Sequence, residues 1–468
     1  MAALFEKFTL FENFGHSLAA PAYLFQPESA EEINAAFKLA RETGLTVTLR
    51  GAGKSYNDAA LNGGGIVLDL RRMDRILAWN TGSGSVTVEP GVTLRQLWQA
   101  VLPDGWWPPV VSGTMTTTLG GCLGMNIHGK NNFRMGTIGE HVTQFTALLP
   151  TGAEVTCSPK RNGDLFRAMI GGLGMLGVFT SITLQMKRVH SGLLNVRAWN
   201  VPNLETHLRE IETSAPEHNY IVGWLDCTAR GKGLGRGQLH TADYLAEGED
   251  PDPVRTLRVD YQTLPDKFFG LAPKSLLHYF MAPFMNNFGT WGVNTAKYIL
   301  GGRAKTYRQP HAAFHFLLDY VPDWELAYGQ LIQHQSFLPK ETALAAWTGI
   351  LSLSHKRSLL AYLGVTKRHR PDNFLLTHAV DGFSLALDFK VTTANRADLS
   401  RMLQDFDRIV LDAGGRFYFA KNSETSAASA RWFLGEETIA KFRALKKRCD
   451  PNHLLESDLY RRVFGDNR

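Results

Sequence analysis

A chain of 468 residues is longer than one ordinary hydrophobic core organises, so two domains are expected. Its apolar share of 44% and charged share of 20% are those of a globular protein and exclude a disordered or collagen-like chain. The net charge of +6 is scattered rather than blocked, so nucleic acid is not the expected partner. Cys122, Cys157, Cys227 and Cys449 form no close pair, so neither a metal site nor a disulfide framework is implied. Reduced thiols in a cytoplasmic protein are the expectation. The charged N-terminal stretch lacks a signal-peptide core, and no apolar run reaches the roughly eighteen residues of a membrane span.

Ser29-Ala-Glu-Glu32 reads as a capping box that opens a helix, with Ile33, Phe37 and Ala40 on one face and Gly44 as its stop. Leu45, Val47 and Leu49 alternate as a strand and lead directly into the loop Arg50-Gly-Ala-Gly-Lys-Ser-Tyr56. Ile66–Leu70 and Ser85–Glu89 are the next strands. Pro90-Gly91 breaks the chain before a helix whose apolar face is Leu94, Leu97, Trp98 and Val101.

The stretch Ser112–Lys130 reads SGTMTTTLGGCLGMNIHGK and carries the strongest functional signal. Five glycines (Gly113, Gly120, Gly121, Gly124, Gly129) and five hydroxyl side chains share nineteen residues. Such a segment makes a poor core, yet its backbone N–H groups can approach a diphosphate closely, because glycine has no Cβ. Gly172-Leu-Gly174-Met-Leu-Gly177 matches the dinucleotide fingerprint in letters only. A helical segment, Leu165–Met169, precedes it and a strand through Val178, Ile182 and Leu184 follows, the reverse of the required order. A Rossmann site is therefore rejected.

Beyond about residue 190 the pattern becomes that of an antiparallel sheet with helices on one face. Ala313–Tyr320 reads as a strand. Phe383, Leu385, Leu387 and Phe389 alternate with Ser384, Ala386 and Asp388, and Arg396–Leu411 reads as a helix stopped by Gly414-Gly415. Arg416–Phe419 reads as a returning strand, and a basic amphipathic helix through Ile439, Phe442 and Leu445 closes at Asp450-Pro451. Residues 267–308 interleave aromatics (Phe268, Phe269, Tyr279, Phe280, Phe284, Trp291) with six Lys/Arg and no acid. That chemistry suits contact with a membrane surface, on the boundary between apolar tails and anionic head groups.

Taken together, the R-G-x-G-K-S-Y loop, the SGT…GG…NIHGK loop, Gly136–His141 and Gly171–Gly174 resemble the FAD-binding domain of the vanillyl-alcohol-oxidase-type (PCMH-type) flavoproteins. Further matches at Asn126–Asn131, Val365–Arg368, Tyr418–Ser423 and the C-terminus resemble the branch that oxidises polyprenyl-phosphate-linked sugars. The resemblance implies an α+β fold in three parts: an FAD domain at 1–189, a substrate domain on an antiparallel sheet at 190–425, and a segment at 426–468 returning to the FAD domain. It implies that Arg50, Gly51, Ala52, Gly53, Lys54, Ser55 and Tyr56 hold FAD together with Ser112, Gly113, Thr114, Thr118, Gly120, Gly121, Gly124, Met125, His128 and Gly129. Gly174, Gly177 and Val178 would lie toward the adenine and ribose.

The same resemblance implies catalytic roles for Lys421, Tyr418 and His128, with Lys421 also a flavin contact, and a substrate-side place for Lys367. Leu318, Ser384 and Ala386 stand where the branch carries a glutamine, an asparagine and a cysteine. Lys54 stands where many of these oxidases tether the flavin through histidine, which implies non-covalent FAD. The implied reaction is hydride transfer from a carbinol carbon of a lipid-linked, sugar-like substrate, with a reductase or epimerase as partner enzyme. The implied location is the inner membrane face, peripherally. A soluble sugar or aldonolactone oxidase, a sterol-type C=C reductase and a non-catalytic flavin-binding protein stand as alternatives.

Overall fold

The computed structural model describes residues 7–265, 267, 268 and 272–465; Phe269 of the aromatic-basic segment lies outside them. Three sheets carry the fold. The first runs Lys7–Glu12, Ala19–Phe25, Ile66–Asp69, Val47–Arg50, the last three mutually parallel. A parallel pair needs a crossover, and the helix Ala30–Thr43 supplies it, burying Ile33, Ala36, Phe37 and Ala40 against Val47, Ile66 and Leu68. Ser29 caps the helix by accepting from the Glu32 N–H, and Gly44 ends it at φ 70°. The Glu32 carboxylate accepts from the Glu28 N–H instead of the Ser29 N–H, one residue earlier than the capping-box reading.

A second, fully antiparallel sheet follows in the order Ile76–Asn80, Ser85–Val88, Val178–Gln185, Val142–Leu148, Glu154–Cys157. The glycine cluster at 171–177 falls between the helix Gly163–Met169 and the strand Val178–Gln185, in the order that excluded a Rossmann turn.

The third sheet has eight antiparallel strands: Lys305–Pro310, Leu193–Val201, Gly237–Tyr244, Tyr220–Leu225, Leu363–His369, Gly382–Val391, Gln330–Pro339, Arg416–Phe417. Leu385, Leu387 and Phe389 pack into one core with Leu208, Ile211, Trp347, Ile350, Met402 and Phe406 of the helices Leu204–Ser214, Ala343–Lys356 and Arg396–Asp412. Strand alternation then turns Ser384, Ala386 and Asp388 the other way, as their sequence pattern required. Two expectations need correction. Ala313–Tyr320 is not a strand: the chain forms the short helix His311–His315 and then a 3-10 turn, Leu317–Tyr320. Every residue of that helix is buried, so no one-sided pattern existed to separate helix from strand. The returning strand is also shorter, covering only Arg416–Phe417.

The helix Glu436–Cys449 packs beside the helix Gly163–Met169, and the segment after it reaches the first sheet. Lys446, on the helix Glu436–Cys449, is 1% exposed and donates to Met175 O (2.9 Å), Leu455 O (2.6 Å) and Asp450 Oδ2 (2.5 Å). The ammonium's three protons meet three oxygens, and Asp450 accepts in turn from the Leu454 and Leu455 N–H groups. Leu454 O then accepts from Val47 N, so this segment is fixed beside the strand that enters the Arg50–Tyr56 loop.

Candidate functional site

One long cavity, enclosing about 1990 Å³ of atom-free space with its mouth included, lies between the two glycine loops and the polar face of the third sheet. Strand register fixes that wall in rows: Leu363–Asp388–Gln333, Val365–Ala386–Gln335 and Lys367–Ser384–Phe337. Sequence-distant loops close it. Tyr56 N donates to Ala420 O (2.8 Å), Asn57 Nδ2 to Phe419 O, and Gln335 N to Asn422 Oδ1 (3.0 Å).

The Leu317–Tyr320 turn holds the long glycine loop. Asp319 accepts from Thr114 Oγ1 (2.9 Å) and Met115 N (2.7 Å), while Leu318 N donates to Gly113 O (3.2 Å). Arg50 spends its guanidinium on loop shape, bonding Ala60 O (3.2 Å) and Glu12 O (2.9 Å). Gly51 must be glycine because a Cβ there would sit 2.0 Å from Thr118 Oγ1, where the two loops meet.

All of Arg50–Tyr56 line this cavity, with Ser112, Gly113, Thr114, Thr118, Gly120, Gly121, Gly124, Met125, His128, Gly174, Lys367, Tyr418 and Lys421. Leu318 and Ala386 line it too. Four residues do not. Gly129 faces Asn131 and Val111, and Gly177 faces Leu148 and Leu149. Val178 is a fully buried strand residue paired with Leu148. Ser384 shares the sheet face of the wall but is fully buried and does not line the cavity, exchanging a hydrogen bond with His369 Nε2 (2.8 Å) and accepting from Gln335 Nε2 (3.5 Å). Gln333 and Gln335 were missed, because the misread strand at Ala313–Tyr320 drew the glutamine comparison to Leu318. The pair Gln333 and Gln335, two apart on one face of the strand Gln330–Pro339, was the available signal. Lys130, Asp388 and Cys122 also line the cavity beyond the residues singled out.

The electrostatics are one-sided. Lys421 Nζ sits 3.7 Å from the centre of the Tyr56 ring. Burial lowers its pKa, and the Asp388 charge works in the opposite direction. Asp388 is raised by burial, with the Gln333 hydrogen bond and the Lys421 charge pulling it down. Its Oδ2 has no hydrogen-bond partner among the described residues. Burial also brings Lys130 to about 7, helped by Lys367, and Lys367 itself to about 8. Lys130 donates to His315 O (3.2 Å) and Phe314 O.

Burial first, then the charges of Lys367, His369, His378 and Lys421, holds His128 far below the usual imidazole range. His128 is therefore neutral near pH 7, accepting from Gln335 Nε2 at 3.3 Å, and its buried Nδ1 has no partner among the described residues. Tyr418 packs on the His128 and His378 rings, and burial raises its hydroxyl pKa beyond any role as a base. The Cys122 thiol is pushed up to about 12 by burial and is chemically quiet. Among the described residues no cluster of His, Cys, Asp or Glu could hold a metal ion.

These residues fit FAD. Gly124 has only Gly174 N within 4 Å of an added Cβ, so a side chain would project into the open cavity. Leu49, Leu70, Leu173 and Phe179 give an apolar wall beside the glycine loops, and the unpartnered His128 Nδ1 is a donor awaiting a ligand.

Residues 21–158 match the FAD binding domain family. The chain is 31% identical over 441 residues to the decaprenylphosphoryl-β-D-ribose oxidase of Mycolicibacterium smegmatis, covering 92% of each protein. It is 30% identical to the L-gulonolactone oxidase of Bos taurus over 43% of this chain and 47% of that one. Against the D-lactate dehydrogenase of Anaerostipes hadrus the figure is 33%, over 39% of each. The chain belongs to the PCMH-type FAD-linked oxidoreductases, and it is an FAD-dependent oxidoreductase with an α+β fold.

Proposed function

We propose that the chain oxidises a secondary alcohol of a sugar-like, polyprenyl-phosphate-linked substrate to a ketone. One observation carries this: three half-buried amines (Lys130, Lys367, Lys421) line the cavity with Asp388 as the one carboxylate among its described lining residues. Three ammonium groups partly withdrawn from water with one carboxylate between them are costly, so the cavity suits an anionic occupant beyond a neutral sugar. The similarity to an oxidase of a decaprenylphosphoryl sugar over 92% of each chain agrees with that charge.

Bound FAD supplies the hydride acceptor for the carbinol carbon. Lys421 Nζ, held charged by Asp388, faces the negative charge that develops during reduction. Lys367 and Lys130 hold the substrate's anionic group, and Gln335 with neutral His128 orients its hydroxyls. Catalytic parts are thereby assigned to Lys421, His128 and Tyr418, the last as a lining ring. The cofactor contacts are the glycine loops at Arg50–Tyr56 and Ser112–His128 with Gly174. We place the division between FAD and substrate domains near residue 190, and the substrate's delivery at a membrane surface through 267–308. No helix among the described residues is long and apolar enough to cross a membrane.

Anaerobic bleaching of the visible flavin band tests the reading. Polyprenyl-phosphate sugars are expected to bleach it. Bleaching by free lactones alone would support the sugar oxidase, and bleaching by a nicotinamide donor alone the reductase. No bleaching by any of them would leave a binding protein. The attachment is tested separately. Lys54 Nζ lies over the Phe14 ring at 4.6 Å, and an amine there forms no bond to the flavin like that of the tethering histidine. Acid precipitation is expected to leave all the flavin in the supernatant, and yellow, acid-stable protein would refute non-covalent binding.

A further inference from the structure

The helix Asn287–Leu300 is inside out. Globular helices turn an apolar stripe to the core; this one is held to the protein by polar contacts. Asn294 Nδ2 donates to Asp226 Oδ1 (3.1 Å), Arg236 Nη2 donates to Thr295 Oγ1 (3.0 Å), and Lys297 Nζ lies 4.0 Å over the Trp224 ring. Its buried residues are Thr290 and Asn294. The face toward solvent carries Phe288 and Leu300, each 78% exposed, with Ile299 and Trp291. Tyr279, Phe280 and Phe284, just upstream, are exposed as well. Such a contiguous apolar patch marks an interaction surface. Its charge says with what: no acid occurs from 267 to 308, and Arg303, Lys305 and Arg308 follow the helix on exposed chain.

Under the start of this helix lies a second cleft, about 930 Å³ of atom-free space with its mouth included. It is amphiphilic. Thr228, Arg230 and Arg236 line one part, and Phe288, Trp291 and Leu360 another. Arg236 is already paired with buried Asp226 (2.9 Å). Arg230 Nε binds His355 Nδ1 (3.1 Å), whose pKa is lowered by burial and then by Arg230, so it meets a neutral partner. Val222 lines the main cavity and Thr228 the cleft, six residues on, so the two are at most about 21 Å apart along the chain.

We propose that this cleft binds the anionic phosphate head group of a bilayer phospholipid, its chain against Phe288 and Trp291, while the outward helix face lies in the membrane interface. The inference deepens the reading of a lipid-linked substrate and rests on it for one consequence, that substrate enters the cavity from the bilayer.

The test is co-sedimentation of the full-length, flavin-loaded protein with vesicles. Binding is expected to phosphatidylcholine vesicles containing phosphatidylglycerol, and not to phosphatidylcholine alone. Phe288→Ser with Trp291→Ser should weaken it roughly a hundredfold, and Arg230→Gln roughly fivefold, with flavin content unchanged. Absent binding, equal binding to neutral vesicles, or binding indifferent to these substitutions would overturn the proposal. So would displacement by millimolar inorganic phosphate, the mark of a free-phosphate site. A dimer that the double substitution dissociates would show that a second copy covers the patch. Flavin bleaching by detergent-solubilised polyprenyl-phosphate sugar is measured alongside, so failure of the substrate reading is seen separately from failure of vesicle binding.

Discussion

Lys421→Met is expected to lower the rate constant for substrate-driven flavin bleaching roughly 10²–10³-fold while leaving bound FAD in place. Lys421 is half-buried against the Tyr56 ring and belongs to the loop that Tyr56 N and Gln335 N stitch to the cavity. Methionine keeps the length and apolar stem, so packing survives and the fixed positive charge goes. A preorganised charge in a water-excluded site acts mainly on the charge that develops in the transition state. The loss should therefore fall on the limiting rate more than on the half-saturating substrate concentration. Single-turnover stopped-flow absorbance of the anaerobic holoenzyme is the measurement. A limiting rate within a few-fold of the parent would remove Lys421 from the proposed mechanism.

Asp388→Asn gives the second large effect, and its sign is fixed by the electrostatics. Burial drives the Lys421 pKa down, and the Asp388 carboxylate is the charge that pushes it back up. Asparagine preserves an acceptor for Gln333 Nε2 but removes that charge. The Lys421 pKa then falls further, and the ammonium form is lost at neutral pH. The alkaline limb of the bleaching rate should move to lower pH by roughly 1–3 units, and activity should return as the pH is lowered. A merely structural Asp388 predicts a uniform loss at every pH with an unmoved limb. That profile would reduce Asp388 to a packing residue.

The legible parts of this protein were those written within one stretch of chain. The capped helix at Ala30–Thr43, the strand running into Arg50, and the alternation of Ser384, Ala386 and Asp388 against Leu385 and Leu387 follow from periods of 3.6 and 2. The reversed order around Gly172–Gly177 was readable for the same reason. Ala313–Tyr320 was misread because burial on every side erases periodicity, and with it went the two glutamines of the cavity wall. Gly129, Gly177 and Val178 belong by letter to loop and glycine motifs, yet face neighbouring backbone or core. A motif fixes a turn, but its neighbours decide which side meets the cavity.

Two glycine loops able to admit a diphosphate, an antiparallel second half and an acid-free aromatic stretch are written in the order of residues alone. That Lys130, Lys367, Lys421 and Asp388 share one cavity comes from the fold, because cross-strand register and the 418–423 loop bring them together across hundreds of residues. The fold also turns the apolar face of the helix Asn287–Leu300 outward. Composition counts aromatic residues, but Asp226, Arg236 and Trp224 hold the polar side of that helix inward, and those contacts exist only once the sheet has formed.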